Sequence, residues 1–550
     1  MRALLIPSAI LIPKEMRSRM GAIPTCLFPL NGDTMLEHIC RQYRDAVDTV
    51  YVLVNREKKQ VYDYVALKKL NVKLIEVDKL GDLGYSVLCG LRALRGENVE
   101  QLYINFADTL IANQLNGEPR DIVYYGKQTM DEDWSFFCQE GGRIRQVVDK
   151  QSLRETEAEQ EGDVFVGTFE LAHPQQFLEE LTEAQKERGA ADSFYRALQQ
   201  YSSRFTMEFI LANRWFDVGH SERYMQAKTS VAARTFNSID IDEDRGVLKK
   251  QSKNRDKLID EIQWYLKIPA KLQYLIPRIY EYSLDRSAPY VTMEYYGYNT
   301  LHEMFVFGDI PLAQWRKYFE KILFAFRDMG RFRVRCGRES VQADLEAMYV
   351  TKTVERLESL RQDPHFEAFF RENITVNGMD FPNLDRCIAR LPELLRSRLI
   401  DSAGEEFCII HGDLCFSNIL AEDRFGFLRI IDPRGRFGEF DIYGDQRYEL
   451  AKLMHSLDGC YDYITEDLFS VQVEGTHIVL EMPRKVEAIY DEFKRVFQEL
   501  LTDYADLQLI ESMLFLSMIP LHSDSLSRQY AMLATGLRLL SEATGGAGNG

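Results

Sequence analysis

Residues 410–435 read IHGDLCFSNILAEDRFGFLRIIDPRG and hold the side chains best suited to chemistry. His411, Asp413 and Asn418 open the stretch, and Asp432 closes the apolar run LRII. Transfer of a phosphoryl group asks little covalent help of a protein. It needs a carboxylate that orients a hydroxyl and accepts its proton. It also needs oxygen ligands for the magnesium that bridges nucleotide phosphates. Asp413 suits the first task; Asn418 and Asp432 suit the second. His411 joins Asp413 as a catalytic candidate. The plainer alternative is a buried His and Asp bracing a turn.

The pattern HxDxxxxN, followed by a strand ending in Asp, resembles the catalytic loop and metal-binding Asp of the aminoglycoside phosphotransferase and choline kinase family. That family is a small-molecule branch of the protein-kinase-like fold, and the resemblance implies ATP and Mg²⁺ as cofactors. Gly412 stands where protein kinases carry an Arg that reads a phosphorylated activation loop. IDPRG replaces DFG, eight residues separate Asp432 from Asp441, and no APE follows. A platform for a peptide is therefore missing, and the expected acceptor is a small hydroxylated molecule: a sugar, polyol or amino alcohol. GDQRYELAKL, from Gly444, continues the resemblance, with Asp445 expected to brace the loop. Cys415 reads as a packing residue.

Such a domain needs an amino-terminal lobe upstream. Residues 236–252, FNSIDIDEDRGVLKKQS, read as two strands around a turn at DEDRG. The second strand carries Lys249 and Lys250 on opposite faces, because side chains alternate along a strand. Glu261 follows in the helical segment RDKLIDEIQWYLK. The resemblance implies that one lysine pairs with Glu261 to hold nucleotide phosphates. Lys250 is favoured and Lys249 is the alternative; a solvated basic hairpin is the plainer reading of either alone. YVTMEYYG resembles the strand into the hinge, placing Met293, Glu294 and Tyr295 near the adenine.

The first half alternates strands and helices. RALLIP, TVYVLVN, VKLIEV and QLYINF are short apolar runs, separated by helical segments such as TMLEHICRQYRDA and SVLCGLRALR. That alternation implies a doubly wound α/β domain with its site at the carboxyl ends of the strands. IPTCLFPLNGDTMLEHI, LGDLGYSVLCGLRAL, YINFADTLI and WFDVGHSERYMQA resemble segments of the sugar-phosphate nucleotidyltransferases, whose sheet is mixed. The resemblance implies that Asp108 and Asp217 hold one Mg²⁺ and that a second nucleoside triphosphate binds here, CTP being one candidate. That family's first loop is Gly-rich and followed by Pro-Lys. Here it is SAILIPKEMRSRMGAIPT, with one Gly, Gly21, and Thr25 after Pro24. Lys14, Arg17 and Arg19 are candidates to supply the phosphate-binding charge instead.

A chain of 550 residues exceeds what one core supports. The expected fold class is α/β plus α+β. A nucleotidyltransferase-like, Rossmann-like domain (1–228) is followed by a protein-kinase-like bilobal domain, with lobes at 229–300 and a helical 301–544, and a disordered tail at 545–550. Residues 226–235 read as a short connector. A net charge of −18 argues against a nucleic-acid partner. The nine Cys lack CxxC pairs, so neither zinc nor a disulfide framework is expected. The apolar start, ALLIPSAILIP, is broken by prolines and lacks a cleavage site, so it reads as a buried strand rather than a signal peptide. No run reaches the ~20 apolar residues that span a bilayer. A cytoplasmic enzyme with a small-molecule substrate and no membrane insertion is expected; an oligomer is compatible.

From about 300 to 405, and again after 485, the pattern is helical. Arg333, Arg335 and Arg338 read either as a solvated face or as a grip on an anionic acceptor. His522 and Asp524 are candidates for substrate contact, with a helix cap at Ser523 or Asp524 as the simpler reading. The function expected is twofold: ATP-dependent phosphorylation of the acceptor, and nucleotidyl transfer onto a phosphorylated compound. The fusion resembles bacterial enzymes of capsule or lipopolysaccharide decoration. The alternative keeps the kinase and makes the amino-terminal half a degenerate nucleotide-binding or scaffolding domain.

Overall fold

A computed structural model describes residues 1–55, 59–79, 81–115, 118–129, 134–149, 161–186, 192–219, 223–224, 227–228, 239–242, 244–422, 426–483 and 486–545. The chain forms two compact units, Met1–Ala232 and Ala233–Gly550. Most of the expected connector and nearly all of the expected tail lie outside the described residues.

In the first unit, the four apolar runs form the strands Arg2–Ser8, Thr49–Asn55, Val72–Val77 and Gln101–Asn105. They lie parallel, in the order Val72–Val77, Thr49–Asn55, Arg2–Ser8, Gln101–Asn105. The central strands carry Leu4, Leu5, Val52, Leu53, Leu102 and Ile104 with no exposed surface, as strands covered on both faces require. Helix Met35–Gln42 starts at a capping box, Thr34 with Glu37, and helix Leu83–Ala93 starts at Asp82. Beyond Gln101–Asn105 the sheet turns antiparallel. Glu161–Leu171 pairs with it and with Ile122–Thr129 and Ser135–Glu140. The sheet is therefore mixed, not doubly wound throughout, because strand Ser135–Glu140 returns through a two-glycine turn to Arg143–Asp149 instead of through a crossover helix.

In the second unit, a four-stranded antiparallel sheet runs Ile239–Asp242, Val247–Lys250, Tyr290–Glu294, Ile279–Ser283. Helix Arg255–Lys267 follows the second strand, capped by the Asn254 side chain on Lys257 N–H. The remainder is largely helical, around one core that includes Leu357, Phe366, Leu391, Phe437, Phe515 and Leu537. Three details depart from the sequence reading. Arg333–Arg335 is a strand paired with Glu406–Ile409; its polar–apolar alternation turns Val334 toward the core. The helical run from 338 contains a π-helical segment, Glu346–Thr351, before helix Lys352–Ser359. Ser525, not Ser523 or Asp524, caps helix Leu526–Ala543.

All nine cysteines are free thiols. Among the described residues no helix is long and apolar enough to cross a membrane.

Candidate functional site

Strand Glu406–Ile409 leads into the loop that carries His411 and Asp413. The loop returns through the hairpin Ile419–Ala421 and Leu428–Ile430. Because Ile419 faces Ile430, Asn418 and Ile431 are neighbours, and Ile431 N–H donates to Asn418 O at 3.0 Å. Asp432 is thus delivered beside Asn418. The Asn418 amide donates to the Asp413 carbonyl (2.8 Å) and to its carboxylate Oδ2 (3.2 Å). That leaves its amide oxygen as the atom available for a hard cation. Asp432 is a non-glycine residue in the left-handed region, with φ 56°, a conformation Asp tolerates better than most side chains and one that recurs at functional sites. Its backbone N–H donates to the Tyr265 hydroxyl at 3.0 Å, while its carboxylate is half exposed.

Lys250 closes the cluster from the small sheet. Its ammonium donates to both Glu261 oxygens at 2.9 Å and to Asp432 Oδ1 at 2.7 Å. Burial disfavours its charge, but the two carboxylates outweigh burial and push its pKa up. Lys249 stands apart: on the opposite face of the strand, its ammonium lies 4.3 Å from the centre of the Tyr290 ring. Strand alternation leaves only one of the two lysines facing the cleft. Glu294 ends its strand with the carboxylate accepting from Tyr296 OH at 2.6 Å and its own N–H on Arg278 O.

His411 differs from its expected role. It is closed off from solvent, its Nε2 lies 2.9 Å from the Ile431 carbonyl, and its ring meets Trp264 edge-on. Burial holds its pKa down at about 4, so the neutral ring with its proton on Nε2 joins the two halves of the loop. It is not placed to exchange a proton with an acceptor. Asp445 does not brace the loop either. It caps helix Gln446–Leu457 and binds Arg447 and Tyr349.

Two residues that the sequence reading passed over do that work. Glu449 is fully buried and accepts from His411 N–H (2.9 Å) and Gly412 N–H (2.6 Å). Lys452, one turn on, places its ammonium 2.9 Å from Asp413 Oδ1. Burial would raise the Asp413 carboxyl, but the charge and hydrogen bond of Lys452 outweigh it and hold the pKa at about 2. The available signal was a Glu and a Lys, three apart, inside the otherwise apolar YELAKLMHSL; that spacing puts them on one helical face. Helix Arg255–Lys267 locks onto the same loop. Trp264 Nε1 donates to Ile410 O at 2.7 Å. Gly435, at φ 82°, lies against the helix so closely that a methyl there would meet Asp260 C at 2.3 Å and Glu261 N at 2.6 Å.

Arg333 and Arg335 lie at the surface, paired with Glu406 and Glu405, and Arg338 is exposed. None belongs to this cluster. Asp524 pairs with Arg528 at 3.3 Å, and His522 packs near Tyr461.

In the first unit, Asp108 follows strand Gln101–Asn105, and Asp217 ends strand Trp215–Asp217. That strand pairs with Thr109–Ile111. The pairing sets the two carboxylates around Gly219: a methyl there would lie 2.9 Å from Asp217 Oδ1 and 3.2 Å from Asp108 Oδ2. Among the described residues no three His, Cys, Asp or Glu side chains gather as metal ligands. A carboxylate pair still fits Mg²⁺, which completes its shell with water and phosphate oxygens. Asn418 with Asp432 offers an equally hard oxygen pair.

The basic segment between Ser8 and Thr25 is not all loop. It holds a two-turn helix, Lys14–Met20. Arg17 turns back to donate to Ile12 O at 2.8 Å, the Thr25 hydroxyl donates to Ile10 O at 3.2 Å, and Lys14 is exposed.

Residues 17–114 match the family model described as a MobA-like NTP transferase domain. The amino-terminal unit therefore carries an NTP transferase-type α/β fold. Among solved structures, CTP:phosphocholine cytidylyltransferase from Streptococcus pneumoniae is 14% identical, with a TM-score of 0.33, over 42% of this chain and 99% of that one. The inositol-1-phosphate CTP transferase from T. maritima is 16% identical, with a TM-score of 0.32, over 42% of this chain and 95% of that one. No curated protein matches.

Proposed function

We propose that the chain couples two nucleotide-dependent transfers. The second unit phosphorylates a small alcohol with ATP, and the first joins a nucleotidyl group to a phosphorylated compound. The observation that carries the kinase reading is the meeting of Asp413, Asn418, Asp432, Lys250 and Glu261 from three separate segments. In the transfer, the acceptor oxygen bonds to the γ-phosphorus, the bond from that phosphorus to the β–γ bridging oxygen breaks, and ADP leaves. The hydroxyl proton passes to the Asp413 carboxylate, which Lys452 keeps ionised. Lys250 holds phosphate oxygens while Glu261 orients it. Magnesium held by Asn418 and Asp432 would neutralise charge on the phosphates.

For the first unit, support comes from the match over residues 17–114 and from the convergence of Asp108 and Asp217. An anionic oxygen of the phosphorylated compound would attack the α-phosphorus of a nucleoside triphosphate and displace pyrophosphate. Lys14, exposed on its helix, is the charge this reading assigns to the phosphates. The product would be an activated donor of the kind used to decorate a surface polymer.

A second reading concerns this unit alone. Arg17 and Thr25 are committed to the loop's own backbone, which favours a domain that binds nucleotide without turning it over. Pyrophosphate release with each of the four nucleoside triphosphates, against sugar phosphates and phosphorylated alcohols, decides between them. ATP consumption over a panel of alcohols, with mass spectrometry of products, tests the kinase. No ATP-derived phosphate on any acceptor overturns it.

A further inference from the structure

The side chains around Asp413 carry more positive charge than the transfer itself uses. Lys352 and Arg356 sit one turn apart on helix Lys352–Ser359, hence on one face. Arg434 lies two residues past Asp432, and Lys452 comes from helix Gln446–Leu457. Lys352, Arg434 and Lys452 converge on Tyr448. The Lys352 ammonium is 5.6 Å from the Tyr448 ring centre, Arg434 Nη1 is 3.2 Å from its hydroxyl, and Lys452 is one turn along the same helix.

Three of these cations, Lys352, Arg356 and Arg434, lack the carboxylate partners that several arginines elsewhere have. Arg434 donates only to the Arg436 carbonyl, Tyr448 and Met348 Sδ, and Arg356 to the Ser517 carbonyl. Among the described residues no carboxylate lies within 4 Å of Lys352, Arg356 or Arg434. Asp413 is taken by Lys452, Asp432 by Lys250, and Glu449 by the His411 and Gly412 amides. By contrast Arg335, Arg396, Arg398, Arg447 and Arg528 are each ion-paired. The electrostatics agree. Burial, helped by the like charges of Arg434, Lys452 and Arg356, outweighs the pull of Tyr448 and brings Lys352 down to about 8. Tyr448, though buried, is drawn down to about 8 by Lys352, Arg434 and Lys452. In a chain with 85 acidic and 67 basic residues, a partly open group of uncompensated cations is a costly arrangement unless an anion completes it.

We propose that the alcohol phosphorylated at Asp413 is itself an anion, whose carboxylate or phosphate group is held by Lys352 and Arg434. This rests on the kinase reading and sharpens it. Neutral sugars become poor acceptors, and amino alcohols, being cations, the poorest.

The test is calorimetric binding to the full chain, in the presence of magnesium and a non-hydrolysable ATP analogue. The probes are glycerate, glycerol phosphate, inorganic phosphate, glycerol and ethanolamine; glycerate against glycerol phosphate separates the two anion sources. We expect at least one anionic alcohol to bind about tenfold or more tightly than glycerol, and ethanolamine to bind most weakly. Lys352→Gln and Arg434→Gln should each weaken the anion by about tenfold and flatten its dependence on salt. Lys249→Gln, on the opposite face of its strand, should change nothing, and thermal unfolding of each variant checks that it is folded. Binding of glycerol or ethanolamine as tight as the anions, an anion affinity unchanged in both variants, or no anion binding at all overturns the proposal. The kinase reading fails by a different result: no binding of the ATP analogue by the wild-type chain.

Discussion

Lys250 Nζ lies 2.7 Å from Asp432 Oδ1, which ties the small antiparallel sheet to the loop 182 residues later in the chain. The same ammonium holds Glu261, so one cation bridges a carboxylate of the helix and a carboxylate of the loop. A magnesium ion and a triphosphate would compete with this bridge. Asp432 would turn to the metal and Lys250 to phosphate oxygen. The contact therefore links sheet, helix and loop.

Lys250→Met should lower ATP turnover by about 100-fold or more, equivalent to about 3 kcal/mol of transition-state stabilisation. It also strands the buried Glu261, so unfolding free energy should fall by about 3–5 kcal/mol. Steady-state phosphate transfer and urea unfolding read the two effects separately. Full turnover in the variant would remove Lys250 from the site.

Lys452→Met should change the pH profile more than the binding of ATP. In the wild type Asp413 has a pKa of about 2, below the ordinary carboxylate value of about 3.9. Its contribution to stability is therefore present above about pH 4 and is lost as pH falls through about 2. No acid limb of transfer between about pH 5 and 7 should arise from Asp413. Without Lys452, the main opposition to burial is lost, the Asp413 pKa rises, and an acid limb should enter the measurable range. A wild-type profile superimposable on that of the variant would contradict the pairing.

Glu449→Gln removes one of two carboxylate acceptors from the His411 and Gly412 amides. A neutral amide has a single oxygen, so one buried N–H loses its partner at a cost of about 1–3 kcal/mol. Hydrogen exchange at His411 and Gly412 should quicken relative to that of the surrounding core, and transfer should slow without a matching change in ATP affinity. Unaltered exchange at both amides would count against the bracing role.

Asp108→Asn and Asp217→Asn should each cut pyrophosphate release by about 100-fold and raise the magnesium concentration needed for half-maximal rate. Neither should alter ATP consumption by the other unit. Equal nucleotide affinity with no turnover in the wild type would instead favour the non-catalytic reading of this half.

The apolar runs of the first unit were legible because buried parallel strands are continuous stretches of Val, Ile, Leu and Tyr, and Thr34 with Glu37 announced the next helix. The antiparallel half of the sheet was less so, since its order depends on which hairpins close, not on the composition of any one strand. In the second unit Asp413, Asn418 and Asp432 stood out because their motif resembles a known catalytic loop, and the fold brings the three segments together. Lys249 and Lys250 could not be separated, because alternation says that they face opposite ways but not which way the sheet turns. Glu449 and Lys452 were missed because a charged pair within a helix ordinarily faces water, and only the tertiary packing turns it inward. The bend of Arg17 onto Ile12 is a loop conformation that no periodicity encodes.

The hydrogen of Gly435 sits where even a methyl cannot, flush against the backbone at Asp260 and Glu261. The segment that follows Asp432 is therefore seated on the helix like a key in its slot. Any swing that lifts Glu261 must carry this segment along or break the seat. Opening and closing of the cleft, if it accompanies turnover, would then have to flex in the strands of the small sheet and spare the helix, and an alanine at 435 would uncouple the two.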